Sequence, residues 1–249
     1  YAADIAVPRG AREAWARDIE LAVPVRAPER WERVHTNLGR LIYALTRDKV
    51  ALTFYPAGPA PELDHDPSPH EDFRPDCVSM LSGGLDSLAG AVMLQRTGRR
   101  PAYVMHRSGN PAVRAAQDAA VAALERHRPG GGALCAAAVA PDPRGADALA
   151  FPPPEQREAS RRLRSLLFMA LAAVTAEGAG VAEVFMCENG PLTTGVPLST
   201  ARAGSMSTHS THPAALERFN AIAAALGLRA RISNPFVYET KADLVRDVL

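Results

Sequence analysis

Apolar positions change period several times along the chain, and each change predicts an element. Ile19, Leu21, Val23 and Val25 alternate as on a half-buried strand, where Pro24 suits an edge position. Pro28 opens a stretch in which Trp31, Val34, Leu38, Leu41, Ile42 and Leu45 recur at helical spacing. Val50, Leu52 and Phe54 then alternate again. Strand, amphipathic helix and strand predict a small α/β accessory domain over residues 1–57. Residues 58–75 are rich in proline and charge and read as an interdomain linker. Asp64, His65, Asp66 and His70 within it suit a metal or a solvated linker, and the composition favours the linker.

From Cys77 onward, short apolar runs alternate with helical stretches. Strands are predicted at 77–81, 101–105, 133–139, 181–187 and 229–233, and helices over 86–96, 112–127, 155–177 and from Pro213. This βα alternation predicts a doubly wound, mainly parallel α/β sheet over residues 76–249. Ligands of such sheets bind beyond the carboxyl ends of the strands, which directs attention to the following loops. Leu163, Leu166, Leu167, Ala170 and Val174 predict the buried stripe of the 155–177 helix. Arg157, Arg161 and Arg164 share its other side, either as a solvated basic face or as a fork for phosphate or carboxylate.

Composition narrows the class. A chain of 249 residues with 47% apolar content can bury one sizeable core and a small second one. Its 28 basic and 27 acidic residues give a net charge of +1, so no global field drives it onto nucleic acid or membrane. Cys77, Cys135 and Cys187 are odd in number and widely spaced, which fits a reducing, cytoplasmic setting rather than a disulfide framework. No signal peptide and no run of about 20 apolar residues is present. The chain starts at Tyr1 without Met and stops at Leu249 in a helical pattern, so both ends read as incomplete.

Candidate chemistry concentrates at strand ends. Ser82-Gly83-Gly84-Leu85-Asp86-Ser87 follows the first apolar run and precedes a helix. Gly83 and Gly84 let the backbone turn and aim N–H groups at one point, the serines add hydroxyls, and the helix start favours an anion. The string lacks the Gly-Lys-Ser/Thr ending of a Walker loop and the three glycines of a dinucleotide fingerprint. Glu188-Asn189-Gly190 closes the fourth strand, where a carboxylate and an amide could read a purine-like ligand or simply form a turn. A long polar loop over 191–211 contains Arg202, Thr208, His209 and Thr211, and His212 follows it. His209 and His212 have metal-ligand spacing only in a helix, which Pro213 disfavours there. Thr240 and Asp243 predict a capping box. Lys241 opposes the helix dipole unless an anion is near, which hints at phosphate.

The Ser82–Ser87 string resembles the PP-loop of ATP pyrophosphatases. With Arg164-Ser165, Glu188-Asn189-Gly190 and Asn234-Pro235-Phe236…Lys241-Ala242-Asp243, the chain resembles the 7-cyano-7-deazaguanine synthase (QueC-like) family. It is most similar to the branch found in bacterial anti-phage systems such as Qat and type IV CBASS. His106-Arg107-Ser108 and Thr211-His212-Pro213 carry that closer likeness. The resemblance spans about residues 19–249 and implies a ligase that splits ATP to AMP and pyrophosphate. It implies that ATP meets residues 82–87, His106, Arg164 and Lys241, with Ser82, Asp86 and Ser87 at the chemistry. Asp86 would assist Mg²⁺ or order the loop. Glu188, Asn189, Gly190, Thr211 and His212 would meet 7-carboxy-7-deazaguanine.

The implied chemistry is adenylation of that carboxylate and transfer to an amine, giving an amide or nitrile. The amine would be ammonia or, in the defence branch, a protein amine of an operon partner. A homodimer is compatible with this reading. Family members carry a four-cysteine zinc site after the Lys-Ala-Asp/Glu segment. No such ligands occur in this chain, so Zn²⁺ enters only if a cysteine cluster follows Leu249. Two other readings stay open, a tRNA-base-modifying PP-loop enzyme and a nucleotide-binding scaffold without turnover.

Overall fold

The computed structural model describes residues 1–10, 16–59, 73–139, 151–195 and 211–248. Most of the expected linker, with His65 and His70, lies outside them, as do Arg202, Thr208 and His209. The chain divides into two compact units, formed by the described parts of 1–63 with 139–167 and of 64–138 with 168–249. The expected span 76–249 differs from this division in residues 139–167, which belong to the first unit.

In the first unit, β1 (Asp18–Val25) and β2 (Lys49–Pro56) pair in parallel, with Leu21 opposite Leu52 and Val23 opposite Phe54. The connecting stretch is α2 (Pro28–Glu32) and α3 (His35–Thr46), not one continuous helix. Ile42, Leu52 and Phe54 form its core, with Leu21, Val23, Trp31, Leu38, Leu163 and Leu166 against them. Arg47 ends α3 in the left-handed region at φ 67°.

Beside that core, a buried ion cluster gathers residues from five places in the sequence. The Arg9 guanidinium grips Asp48 with both ends, Nη1 to Oδ1 at 2.8 Å and Nη2 to Oδ2 at 2.9 Å. Arg17 reaches Asp4 at 2.6 Å and also bonds Asp48. Asp4 lies in α1 (Ala2–Ala6), and its Oδ2 accepts the Leu163 N–H at 2.9 Å. Glu158 accepts the Arg9 N–H at 2.8 Å. Burial pushes the Asp48 carboxyl up, but Arg17 and Arg9 outweigh it and hold it below the usual carboxylate range.

These contacts correct the expected 155–177 helix. A single 3-10 turn occupies Pro154–Gln156, and α6 runs only from Arg164 to Ala179. Glu158 N–H bonds the Ile5 carbonyl, Ser160 N–H bonds Glu158, and Leu163 N–H bonds Asp4. Arg161 takes a left-handed conformation at φ 45°. Tertiary partners claim the Glu158 and Leu163 N–H groups and a local side chain claims that of Ser160, so Arg157, Arg161 and Arg164 do not share a helical face.

The second unit is a doubly wound α/β fold around five parallel strands, ordered β5-β4-β3-β6-β7. These are β3 (Cys77–Met80), β4 (Pro101–His106), β5 (Ala133–Ala137), β6 (Glu183–Phe185) and β7 (Arg231–Ser233). β3 is central and buried at every position, as its unbroken small and apolar run requires. Helices α4 (Leu85–Arg96) and α5 (Pro111–His127) connect successive strands, and α8 (Pro213–Ala225) leads to β7. The ladder of β6 and β7 is shorter than expected, although Arg231 N–H to Ala182 and Met186 N–H to Ser233 extend it at each end. The order reverses between β3 and β6, so their carboxyl ends flank the switch point where such sheets take ligands. No described helix is long and apolar enough to cross a membrane.

Candidate functional site at the switch point

Leu81 continues β3 by donating to the Val104 carbonyl at 2.9 Å, and the chain then turns. Gly83 takes φ 86°, and a Cβ there would lie 2.8 Å from the Gln117 nitrogen, so both conformation and space require glycine. Gln117 is itself fixed, its Nε2 donating to the His106 carbonyl at 2.9 Å. Gly84 is the N-cap of α4, and its carbonyl accepts from Leu88 N–H and from the Ser87 hydroxyl. Ser82 and Ser87 oxygens lie 3.0 Å apart, Ser82 N–H reaches Ser87 Oγ at 3.2 Å, and Gly84 N–H reaches Ser82 Oγ at 3.3 Å. These long internal bonds preform a turn whose donors an anion could take over.

Asp86 sits in the first turn of α4, where a carboxylate complements the helix dipole. Its Oδ2 accepts the Asn189 side-chain Nδ2 at 2.6 Å and the Asn189 N–H at 3.1 Å. Its Oδ1 is buried without a hydrogen bond, and Lys241 Nζ stands 4.0 Å away. That separation is an ion pair without contact, so the carboxylate keeps one acceptor oxygen uncommitted. Close packing enforces the arrangement. A Cβ on Gly90 would fall 2.2 Å from Cys187 Sγ, which lets α4 approach the end of β6. Burial, with Asp86 nearby, pushes the Cys187 thiol up to about 12, so this thiol is an inert packing group.

Glu188 follows at the end of β6. Thr211 donates to its Oε2, and Asn234 and Thr193 hold its main chain. Burial raises the Glu188 carboxyl above its ordinary value, Thr211 opposes that, Asp86 adds to it, and Lys241 offsets it. Asn189 caps α7 (Gly190–Thr193), its Oδ1 accepting from Leu192 N–H. Gly190 N–H bonds the Glu239 carbonyl at 2.8 Å, and a Cβ on Gly190 would strike the Val237 carbonyl at 2.4 Å. The tail after β7 is thereby seated against the end of β6.

The structure thus brings Asp86, Glu188, Asn189, Gly190, Thr211 and Lys241 together beside the Ser82–Ser87 turn. His106 ends β4, with its ring 5.5 Å from that of Phe168. His212 is the N-cap of α8, its Nδ1 accepting from Ala214 N–H at 3.1 Å, so part of its chemistry is spent on the fold. Helix α8 does begin at Pro213, with the cap on the residue before it. Arg164 is the first residue of α6 and belongs to the first unit. Arg107 pairs with Asp118 at 2.6 Å.

No family model matches the chain, and no curated protein matches it. What the site can do follows from its own atoms.

Lys241 opens α9 (Lys241–Asp247), and the expected capping box is present, with Thr240 Oγ1 accepting from Asp243 N–H and Asp243 accepting in return. The anion that Lys241 meets in the fold is Asp86. Glu239, Asp243 and Asp247 are, among the described residues, the one group of three close carboxylates, and the cap and Arg246 already engage Asp243 and Asp247. Cys77, Cys135 and Cys187 are all free thiols. Sequence reasoning gave no role to Asn234, Thr193 or Gln117. An Asn-Pro pair directly after a strand was the signal for the first of them.

Proposed function

We propose that the chain is an ATP-dependent ligase that activates a heterocyclic carboxylic acid, 7-carboxy-7-deazaguanine by resemblance, as its acyl-adenylate. The observation that carries this reading is the Asp86 cluster. A glycine-turned loop at a helix start, a carboxylate with one uncommitted oxygen and a lysine beside it all meet at one switch point. The donors of residues 82–87 suit the β,γ-phosphates of ATP as substrate. Mg²⁺ fits the uncommitted Asp86 Oδ1, where it would neutralise phosphate charge. Lys241 is 57% exposed and able to swing from Asp86 to a phosphate oxygen.

A carboxylate oxygen attacks the α-phosphorus, the bond to the bridging β-oxygen breaks, and pyrophosphate leaves. An amine then attacks the acyl carbon, AMP leaves with the former carboxylate oxygen, and the nitrogen loses a proton. The chain's residues contribute position and charge rather than a covalent nucleophile. Glu188, when ionised, accepts N–H donors of the heterocycle, and Asn189 fixes the turn that presents it. The acceptor amine is ammonia or a protein amine, the latter matching the branch of anti-phage systems that the sequence resembles. Incubation with ATP, Mg²⁺ and 7-carboxy-7-deazaguanine should yield AMP and pyrophosphate only when the acid is present. ADP and phosphate, or no turnover, would overturn the reading.

A further inference from the structure

We infer that Asn234 is a positioning residue for substrate selection, holding Glu188 in the one orientation that reads paired N–H donors on a heterocyclic acid. This inference rests on the adenylation reading above. Asn234 stands directly after β7, and both ends of its carboxamide are used. Oδ1 accepts Glu188 N–H at 3.2 Å and Phe236 N–H at 3.0 Å. Nδ2 donates to the Glu188 carbonyl at 2.8 Å and to Thr193 Oγ1 at 2.9 Å. Thr193 Oγ1 in turn donates to the same Glu188 carbonyl at 3.1 Å. Glu188 is therefore gripped at its N–H, at its C=O from two sides, and at one carboxylate oxygen by Thr211.

Such a grip decides orientation. A carboxylate reads two parallel N–H donors, as on a 2-amino-4-oxopyrimidine edge, only when its plane is fixed. A neutral amide is the group that can do the holding. It supplies donors and acceptor at one length, and adds no charge beside Glu188 and Asp86. Aspartate would keep the acceptor but lose both donors, leaving the Glu188 carbonyl and Thr193 with one partner fewer. It would also add a third carboxylate to the cluster.

Asn220 provides a matched comparison within the same unit. From α8 its Oδ1 accepts Ile232 N–H and its Nδ2 donates to the Ile232 carbonyl, each at 2.8 Å. This amide satisfies the outward groups of β7, the last strand of the sheet, and blunts that edge. It makes the same kind of clamp and serves only the fold.

The test compares Asn234→Asp with Asn220→Asp in steady-state kinetics, with calorimetric binding of 7-carboxy-7-deazaguanine as a second readout. Asn234→Asp should raise KM and Kd for the acid by about tenfold or more while leaving KM for ATP within about twofold. Asn220→Asp should lower the melting temperature, as Asn234→Asp also should, but leave both KM values within about twofold. Thr193→Val, a milder loss from the same grip, should raise KM for the acid by about threefold and keeps the test decisive if Asn234→Asp does not fold. An unchanged KM for the acid in the folded variants, or equal effects from both asparagines, would overturn the inference alone. Absence of AMP formation by the unmodified protein would overturn the adenylation reading and this inference with it.

Discussion

Asp48 and Asp86 are both buried carboxylates, and the fold treats them oppositely. In the first unit, Asp48 meets two guanidiniums and the Arg17 N–H, so both its oxygens are saturated. In the second, Asp86 has one oxygen held by Asn189 and the other without a hydrogen bond, with a lysine just out of contact. Full compensation marks a charge that serves the fold. An under-compensated charge at a switch point, beside a preformed anion turn, is the pattern expected of a site that completes its contacts with a ligand.

That contrast can be broken most sharply at Asp86. Asp86→Ala should lower AMP formation by about a hundredfold to a thousandfold, with the circular dichroism spectrum unchanged. Asp48→Ala should do the reverse. Two buried arginines lose their shared partner, and the first unit should lose about 3–5 kcal/mol, read by denaturant unfolding. Equal loss of activity and stability in both variants would erase the distinction.

Acid separates the two units further, because Asp48 and Glu158 are shifted one way and Glu188 the other. Asp48 and Glu158 are held below the ordinary carboxylate range, the latter by Ser160 and Arg9 against burial. Their contribution is complete above the unfolded value of about 4 and is lost as pH falls through the lower folded values. Glu188 is raised, chiefly by burial, so its ionised form weakens the fold at neutral pH and protonation relieves that as pH falls. Binding of the acid substrate should therefore weaken on acidification through a value above about 4.3, before the first unit loses stability. Glu188→Gln should abolish that limb in a KM-versus-pH profile. Exposed Lys241 matters less than Asp86, and Lys241→Ala should raise KM for ATP about tenfold, the loss of one charge-assisted contact.

Some local signals in the sequence survive into the structure, whereas the apolar stripe expected on the 155–177 helix does not, since Val174 is exposed and α6 buries Met169, Ala172, Ala173 and Ala176 instead. The turn at residues 82–87, the Thr240–Asp243 cap and the βα alternation are each set by neighbours within a few residues. Long-range features were not legible. The Arg9–Arg17–Asp4–Asp48 cluster joins residues whose separation in sequence hides any pattern, and its demands on the backbone replace the helix expected at 155–163. The same holds for Asn234, whose partners Glu188 and Thr193 lie more than one element away. Lys241 was legible as a charge in an unfavourable place, and the structure supplies the carboxylate that explains it.

The proposed function turns on one step, attack of a substrate carboxylate on the α-phosphate of ATP. Turnover of 7-carboxy-7-deazaguanine carrying ¹⁸O in its carboxyl group, with mass spectrometry of the nucleotide product, tests it most directly. Adenylation should give AMP containing one oxygen from the acid and unlabelled pyrophosphate. Unlabelled AMP, or ADP in its place, would contradict it.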